Sequence, residues 1–422
     1  MNMILRALMV SVWFMALTFP LVVLKVDALN DTILFRWENM ASIGVGAFVL
    51  SIFWRWSMER KARGAVSTGP SLFARALEGV RQPKPRYTCL SLIAVLMLVM
   101  PYISSMYQIN IMISALIYIM LGLGLNIVVG LAGQLVLGYA AFYAVGAYTY
   151  GLLNTYFGLG FWAVLPVGGI MAALFGLMLG FPVLRLKGDY LAIVTLAFGE
   201  IVKNVMNACY LGLDSRGLHF SLKDSASLNL EADGKVLING AMGITGIKKA
   251  STFTIGIVLV IITLLVILNL VNSRAGRAIT AIRDNEIAAR SVGIPITKYK
   301  LMAFVTSAVF AGVAGVLYAL NYSSLVAKKF DYNTSILILV FVVLGGIGSL
   351  RGSVIAATVL TVLPELLRSM NDYRMLIYAI VLIVVMIFNQ SPQMIALRKR
   401  LTARFRKEGT NTKAAKEKKG VA

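Results

Sequence analysis

Apolar residues run through this chain in long blocks separated by short polar stretches. The longest block, Tyr87 to Leu184, contains ninety-eight residues without one Lys, Arg, Asp or Glu. A surface facing water needs charge, whereas a central Arg, Lys or Asp in a lipid-facing helix costs roughly 2.5–3.5 kcal/mol on insertion scales. At about 20 residues per crossing, that block alone holds four membrane spans. Followed along the chain, the pattern predicts twelve: 4–24, 38–55, 87–106, 109–129, 133–153, 161–184, 189–210, 253–271, 301–320, 333–350, 352–369 and 374–389. The fifth is a candidate for a broken or re-entrant helix, because Gly130, Gly133 and Gly138 crowd its start. The run from Ala7 to Leu24 is as long as a span, lacks a convincing small-residue cleavage site and is followed by further spans. It therefore reads as an anchor rather than a signal peptide.

Composition fixes the class. Of 422 residues 59% are hydrophobic and 14% charged, which predicts an all-α polytopic integral membrane protein with about 10–12 transmembrane helices. A net charge of +22 would suggest nucleic acid as the partner of a soluble protein. Here, with the twelve spans threaded and the N- and C-termini cytoplasmic, most basic residues gather on the cytoplasmic side. The partner implied is the lipid bilayer, and no nucleic acid is expected. Cys89, Cys209 and His219 are too few and too scattered for a disulfide framework or a metal site.

Three hydrophilic segments divide the chain. Residues 1–86 read as an N-terminal accessory membrane hairpin followed by a basic cytoplasmic loop. Residues 87–390 form the core, with an extracytoplasmic loop at 211–252 and a cytoplasmic segment at 272–300. Residues 391–422 form a basic cytoplasmic tail, expected to be disordered near anionic lipid headgroups.

The 272–300 segment carries the densest candidate chemistry. It reads as a short helix ended by Gly293 and Pro295, with Arg283, Glu286 and Arg290 on one face and Ile279, Ile282 and Ala289 on another. Such a helix suits docking into a partner's groove, and spacing alone equally allows a helix lying on the lipid surface. Within the seventh span, Glu200 and Lys203 stand one turn apart. At that depth they must pair or face a hydrated cavity, as a structural pair or as part of a pathway or gate. Small residues recur at Ala140–Ala144, Ala147–Gly151, Ala308–Gly312 and Ala311–Gly315–Ala319, a spacing that lets helices pack closely. No phosphate-binding loop of the G-x-x-x-x-G-K-[ST] type occurs, and no nucleophile stands beside a base, so neither ATP hydrolysis nor catalysis is expected of this chain.

Four runs occur in order: LGLGLNIVVGLAGQLVLGYAAFYAVGAYTYGLL (121–153), GFPVLRLKGDYLAIVTLAFGEIVKN (180–204), GRAITAIRDNEIAARSVGI (276–294) and VVLGGIGSLRGSVIAA (342–357). Together they closely resemble the LivM-type permeases of branched-chain amino-acid ABC importers, over roughly residues 87–390. The resemblance implies an ABC importer permease fold in a bacterial plasma membrane, working with a homologous LivH-type permease, two cytoplasmic ABC ATPase subunits and an extracytoplasmic branched-chain amino-acid-binding protein. It implies no cofactor in this chain, with ATP used by the partner subunits. It also makes Arg277, Arg283, Asp284, Glu286, Arg290 and Gly293 part of the segment that couples to the ATPases. Relatives in the family handle urea, amides and other amino acids. A stand-alone secondary transporter would instead show two similar six-span halves, and no such repeat is visible. A membrane scaffold or sensor with the tail as its output is the remaining alternative.

Overall fold

The computed structural model describes residues 24–27, 32–35, 105–186, 188–215, 217–224, 228, 234–247, 249–250, 253–367 and 374–390. The expected spans 4–24, 38–55 and 87–106 lie outside these apart from Leu24, Ser105 and Met106, as do the basic segment 57–86 and the tail 391–422. The chain divides into two units, Met1–Ala94 and Val95–Ala422. In the first, β1 (Leu24–Asp27) pairs antiparallel with β2 (Thr32–Phe35), Leu24 opposite Phe35.

The second unit is a helical bundle. Its first described helix, α1 (Met106–Asn126), opens on a capping box in which Ser105 and Gln108 satisfy each other's backbone amides, and it runs on into a π turn, Ile127–Leu131. The chain then leaves the helix. Gly133 takes a φ of +69°, the Leu137 amide donates to Thr195 Oγ1 at 3.1 Å, and α2 (Tyr139–Phe157) begins only at Tyr139. The fifth expected span is thus interrupted at its start, six residues later than the hydropathy pattern placed it.

Next come α3 (Phe161–Val183) and α4 (Asp189–Ala208), then α5 (Phe253–Asn272). A single helix was expected in the hydrophilic segment that follows, but there are two, α6 (Arg274–Asp284) and α7 (Glu286–Ser291). The long α8 (Ile296–Asn321), α9 (Tyr332–Gly345), α10 (Leu350–Leu366) and α11 (Arg374–Gln390) complete the bundle. Among the described residues five helices are long and apolar enough to cross a membrane: α1 with its π turn, α3, α4, α5 and α8.

Between α4 and α5 the chain forms a small antiparallel sheet, which hydropathy did not foresee. Its strands are β3 (Tyr210–Asp214), β4 (Gly217–Ser221) and β5 (Lys235–Asn239), in the order β4-β3-β5. A two-residue strand, β6 (Ile244–Thr245), pairs with β7 (Ser324–Leu325) just beyond α8 and ties this loop to the bundle.

The core centres on α8, which packs against α1, α2 and α3. The small-residue spacing has its reason here. A Cβ on Gly146 of α2 would stand 2.5 Å from Gly312 Cα, and one on Gly312 would stand 2.7 Å from the Gly168 carbonyl of α3. Backbones that approach this closely leave no room for a side chain, and they supply the packing that lipid cannot drive by hydrophobicity. Polar links reinforce the contact: Tyr139 OH donates to the Ser307 carbonyl at 3.0 Å, and Ser307 Oγ donates to the Gly124 carbonyl at 2.8 Å. On the outside, α3 presents Trp162, Ile170, Met178 and Phe181, and α5 presents Ile261 and Leu265.

Replacing Gly312 with Val should force α8 away from both α2 and α3 and destabilise the bundle by about 1–3 kcal/mol or more. A lowered thermal unfolding midpoint in detergent checks this, and a midpoint equal to wild type would refute the close-contact account.

Candidate functional site

Ser273 starts α6 by accepting from the Gly276 amide at 3.1 Å, and the helix buries Ile279 and Ile282 against the bundle. At Asn285 the backbone turns extended (φ −158°, ψ 107°). The Asn285 side chain then accepts from the amides of Ile287 and Ala288, both at 3.0 Å, and caps α7. This cap explains the interruption, since Asn offers the backbone an alternative to continuing the helix. The end of α7 is closed by Gly293 at φ +81°: its amide donates to the Arg290 carbonyl, and the Ile294 amide donates to the Ala289 carbonyl.

The break separates residues that spacing had placed on one face. Arg283 turns inward, donating through Nη1 to the Gly130 carbonyl at 2.7 Å and lying along Gly133, while its Nε and Nη2 bond Asp284 Oδ1. Glu286 instead pairs with Lys300 of α8 at 2.8 Å and stands 4.0 Å from Arg290. Arg290 itself is largely exposed, as are two apolar neighbours on this stretch, Ile287 at 80% and Val292 at 78%. Arg277 is exposed and donates to the Asn272 carbonyl at 2.9 Å. The segment therefore has an anchored side, made by Arg283 and Glu286, and a free side, made by Ile287, Arg290 and Val292.

Sequence reasoning did not single out Lys300, Ile287 or Val292. Only the fact that Ile287 and Val292 fall outside the Ile279–Ile282–Ala289 stripe could have suggested a second apolar face.

The carbonyl that Arg283 reaches belongs to the π turn of α1, and a second polar group stabilises the same turn. Asn126, wholly buried, donates to Ser353 Oγ of α10 at 3.2 Å and accepts from the Gly348 amide at 2.9 Å. A Cβ on Gly130 would stand 2.6 Å from that Gly348 nitrogen. The glycine-rich run 344–353 is thus the tight turn between α9 and α10, pressed onto the end of α1. A cavity of about 390 Å3 lies just past the π turn, lined by Gly133, Gln134, Asp189, Arg283, Glu286 and Lys300 among others. Gln134 Oε1 is buried with no hydrogen-bond partner among the described residues.

Glu200 and Lys203 form an ion pair on α4, and Glu200 Oε1 also accepts from the Tyr332 amide at 3.2 Å. Both side chains are about a quarter exposed. The pair therefore meets the first turn of α9, where Asp331 caps the helix by accepting from the Thr334 amide at 2.9 Å. Burial raises the Asp331 carboxyl. Bonds from the Thr334 amide, Asn333 and the Thr334 side chain, together with the Lys203 charge, outweigh it and hold the pKa below the usual carboxylate value.

A bundle of apolar helices with a polar segment anchored at one end has the make-up of a membrane-embedded subunit. The chain belongs to the family described as branched-chain amino acid transport system / permease component, whose model matches residues 107–386. It is similar to the high-affinity branched-chain amino acid transport system permease protein LivM of Salmonella typhimurium LT2, 40% identical over 341 residues, covering 78% of this chain and 79% of that one. The LivM protein of Escherichia coli K12 is likewise 40% identical, over 379 residues and 86% of both chains. A more distant relative, the probable branched-chain amino acid transport permease protein LivM of Methanocaldococcus jannaschii, is 25% identical over 195 residues, 45% of this chain and 52% of that one. This is a family of transport proteins rather than of enzymes.

Two outcomes follow from the site. Replacing Asn126 with Ala leaves the half-buried Gly348 amide without this partner and should cost about 1–3 kcal/mol, read as a lower thermal midpoint. Because the Asp331 pKa is depressed on folding, its contribution is present above the ordinary carboxylate pKa and lost as pH falls through the folded value. Asp331→Ala should therefore lower stability at neutral pH and flatten its decline in acid, measured by unfolding across that range.

Proposed function

We infer that this chain is the permease subunit of an ATP-binding-cassette importer that moves branched-chain amino acids inward without chemical change. Its partners are a homologous LivH-type permease, two cytoplasmic ATPase subunits that bind and hydrolyse the ATP, and an extracytoplasmic binding protein that delivers the substrate. Both termini are cytoplasmic in a bacterial inner membrane. The observation that carries this reading is the 40% identity to two LivM proteins across most of both chains. The geometry of α6 and α7 supports it.

In this reading the free side of α7 seats in a cleft of the ATPase, Ile287 and Val292 supplying apolar contact and Arg290 the charge. The anchored side passes the movement on. Displacement of α7 pulls on α8 through Glu286–Lys300 and on the π turn of α1 through Arg283–Gly130. From there Asn126 carries it to the α9–α10 turn. Coupling of this kind needs contacts that differ between two states of the bundle, and the broken end of α1 is the element best built to have two. The Glu200–Lys203 pair steadies the start of α9, where it can act as a hinge or gate beside the pathway.

The test is purification of the tagged chain with whatever remains bound, followed by leucine uptake in proteoliposomes. A second permease and ATPase subunits should co-purify, and uptake should require ATP. Ile287→Asp with Arg290→Glu should release the ATPases. Arg283→Ala should leave them bound while lowering uptake about tenfold relative to ATP hydrolysis. Normal uptake in both variants would refute the coupling role, and uptake that survives ATP depletion would refute the ABC assignment.

A further inference from the structure

At the end of the bundle opposite α6 and α7, the first half of α1 meets the ends of α8 and α10 around an open cavity of about 290 Å3. Five tyrosines line it: Tyr107, Tyr118, Tyr143, Tyr318 and Tyr322. The Tyr143 and Tyr318 rings meet edge to face at 5.4 Å, and those of Tyr318 and Tyr322 lie 4.5 Å apart. Ser114 Oγ is 3.3 Å from the Tyr322 hydroxyl, and Ile111 and Ile117 add aliphatic surface.

Two charged side chains line this aromatic space, Lys329 and Glu365. Glu365 accepts from the Tyr107 hydroxyl, but among the described residues neither Glu365 nor Lys329 belongs to an ion pair. On the cavity beside α6, by contrast, Glu286 is paired with Lys300 and Arg283 with Asp284. Opposite charges on one small cavity that do not neutralise each other are placed to neutralise a ligand carrying both signs. Tyrosine faces add attraction for an ammonium and packing surface for a hydrocarbon branch. The volume lies at or just below the ~300–1,000 Å3 of ligand pockets, a size for one amino acid rather than a peptide.

We propose that this cavity is a binding site for a zwitterionic amino acid with a branched aliphatic side chain. Glu365 takes the ammonium, Lys329 takes the carboxylate, and the hydrocarbon lies on Tyr318, Tyr322 and Ile117. The proposal rests on the transport function inferred above and places a station of the substrate within this single chain.

The experiment is equilibrium binding of radiolabelled leucine to the full chain in nanodiscs by scintillation proximity, with leucine uptake by the intact importer measured in parallel. Competitors are isoamylamine, which lacks the carboxylate, and 4-methylpentanoate, which lacks the ammonium. Leucine should compete at least about tenfold better than either. Glu365→Gln should weaken leucine and isoamylamine but leave 4-methylpentanoate unchanged, and Lys329→Gln should do the converse. Thr361→Trp, which fills the cavity while keeping both charges, should abolish binding and guards against a charge variant that fails to fold. Wild-type leucine affinity in the charge variants or in the filled cavity overturns the site. So does an absence of leucine binding to the wild-type chain when the intact importer transports leucine. An intact importer that takes up no leucine overturns the transport reading itself.

Discussion

Inside a bilayer an unpaired backbone group has no water to turn to, so each place where this bundle breaks a helix needs polar partners of its own. The buried amide of Asn126 meets this need by serving two groups at once, accepting from the Gly348 amide and donating to Ser353 Oγ. Glycine at 130 and at 348 permits the approach, and the Arg283 guanidinium takes up the Gly130 carbonyl from the other side. The π turn of α1, the α9–α10 turn and the polar segment after α5 are therefore one connected piece of structure. Remove the amide and each part loses its reason for lying where it does.

The two ends of the bundle consequently differ in kind. One end is a polar knot of hydrogen-bonded backbone, rigidly tied to α1, α8 and α10 and carrying an exposed apolar surface on α7. The other is an aromatic cup on which, among the described residues, Lys329 and Glu365 belong to no ion pair. Between them the helices pack through close glycine and alanine contacts with a few buried hydroxyl bonds, which suits rigid-body movement. Closely packed backbones slide or tilt as units more readily than they deform.

Much of this was legible in the sequence. The charge-free run announced the membrane class, and the helices from 109 onward lie within about six residues of where hydropathy put them. The crowding of Gly130, Gly133 and Gly138 foretold the interrupted helix. Other features were hidden for physical reasons. Asn285 looked like one more polar residue in a helical pattern, and only its extended backbone, fixed by the cap it makes, splits α6 from α7. Arg283 and Glu286 stand at helical spacing yet point to different partners because that break lies between them. The small sheet after α4 is too short and too mixed in polarity to rise above loop composition. Lys329 and Glu365 sit in separate spans or their edges, thirty-six positions apart, and no periodicity relates them.

The buried α2 has a consequence for how the protein is made. It is rich in tyrosine, alanine and glycine, and it falls outside the helices apolar enough to cross a membrane by themselves, yet most of its length is shielded by neighbours. Lipid alone gives such a segment little reason to leave the insertion machinery. It must be retained until α3 has been synthesised and packs against it, with α8 arriving more than a hundred residues later to cover its Gly146 face. The order of translation is thus part of the assembly pathway, and a ribosome that stalled between α3 and α8 would leave a chain whose central helix has no stable home.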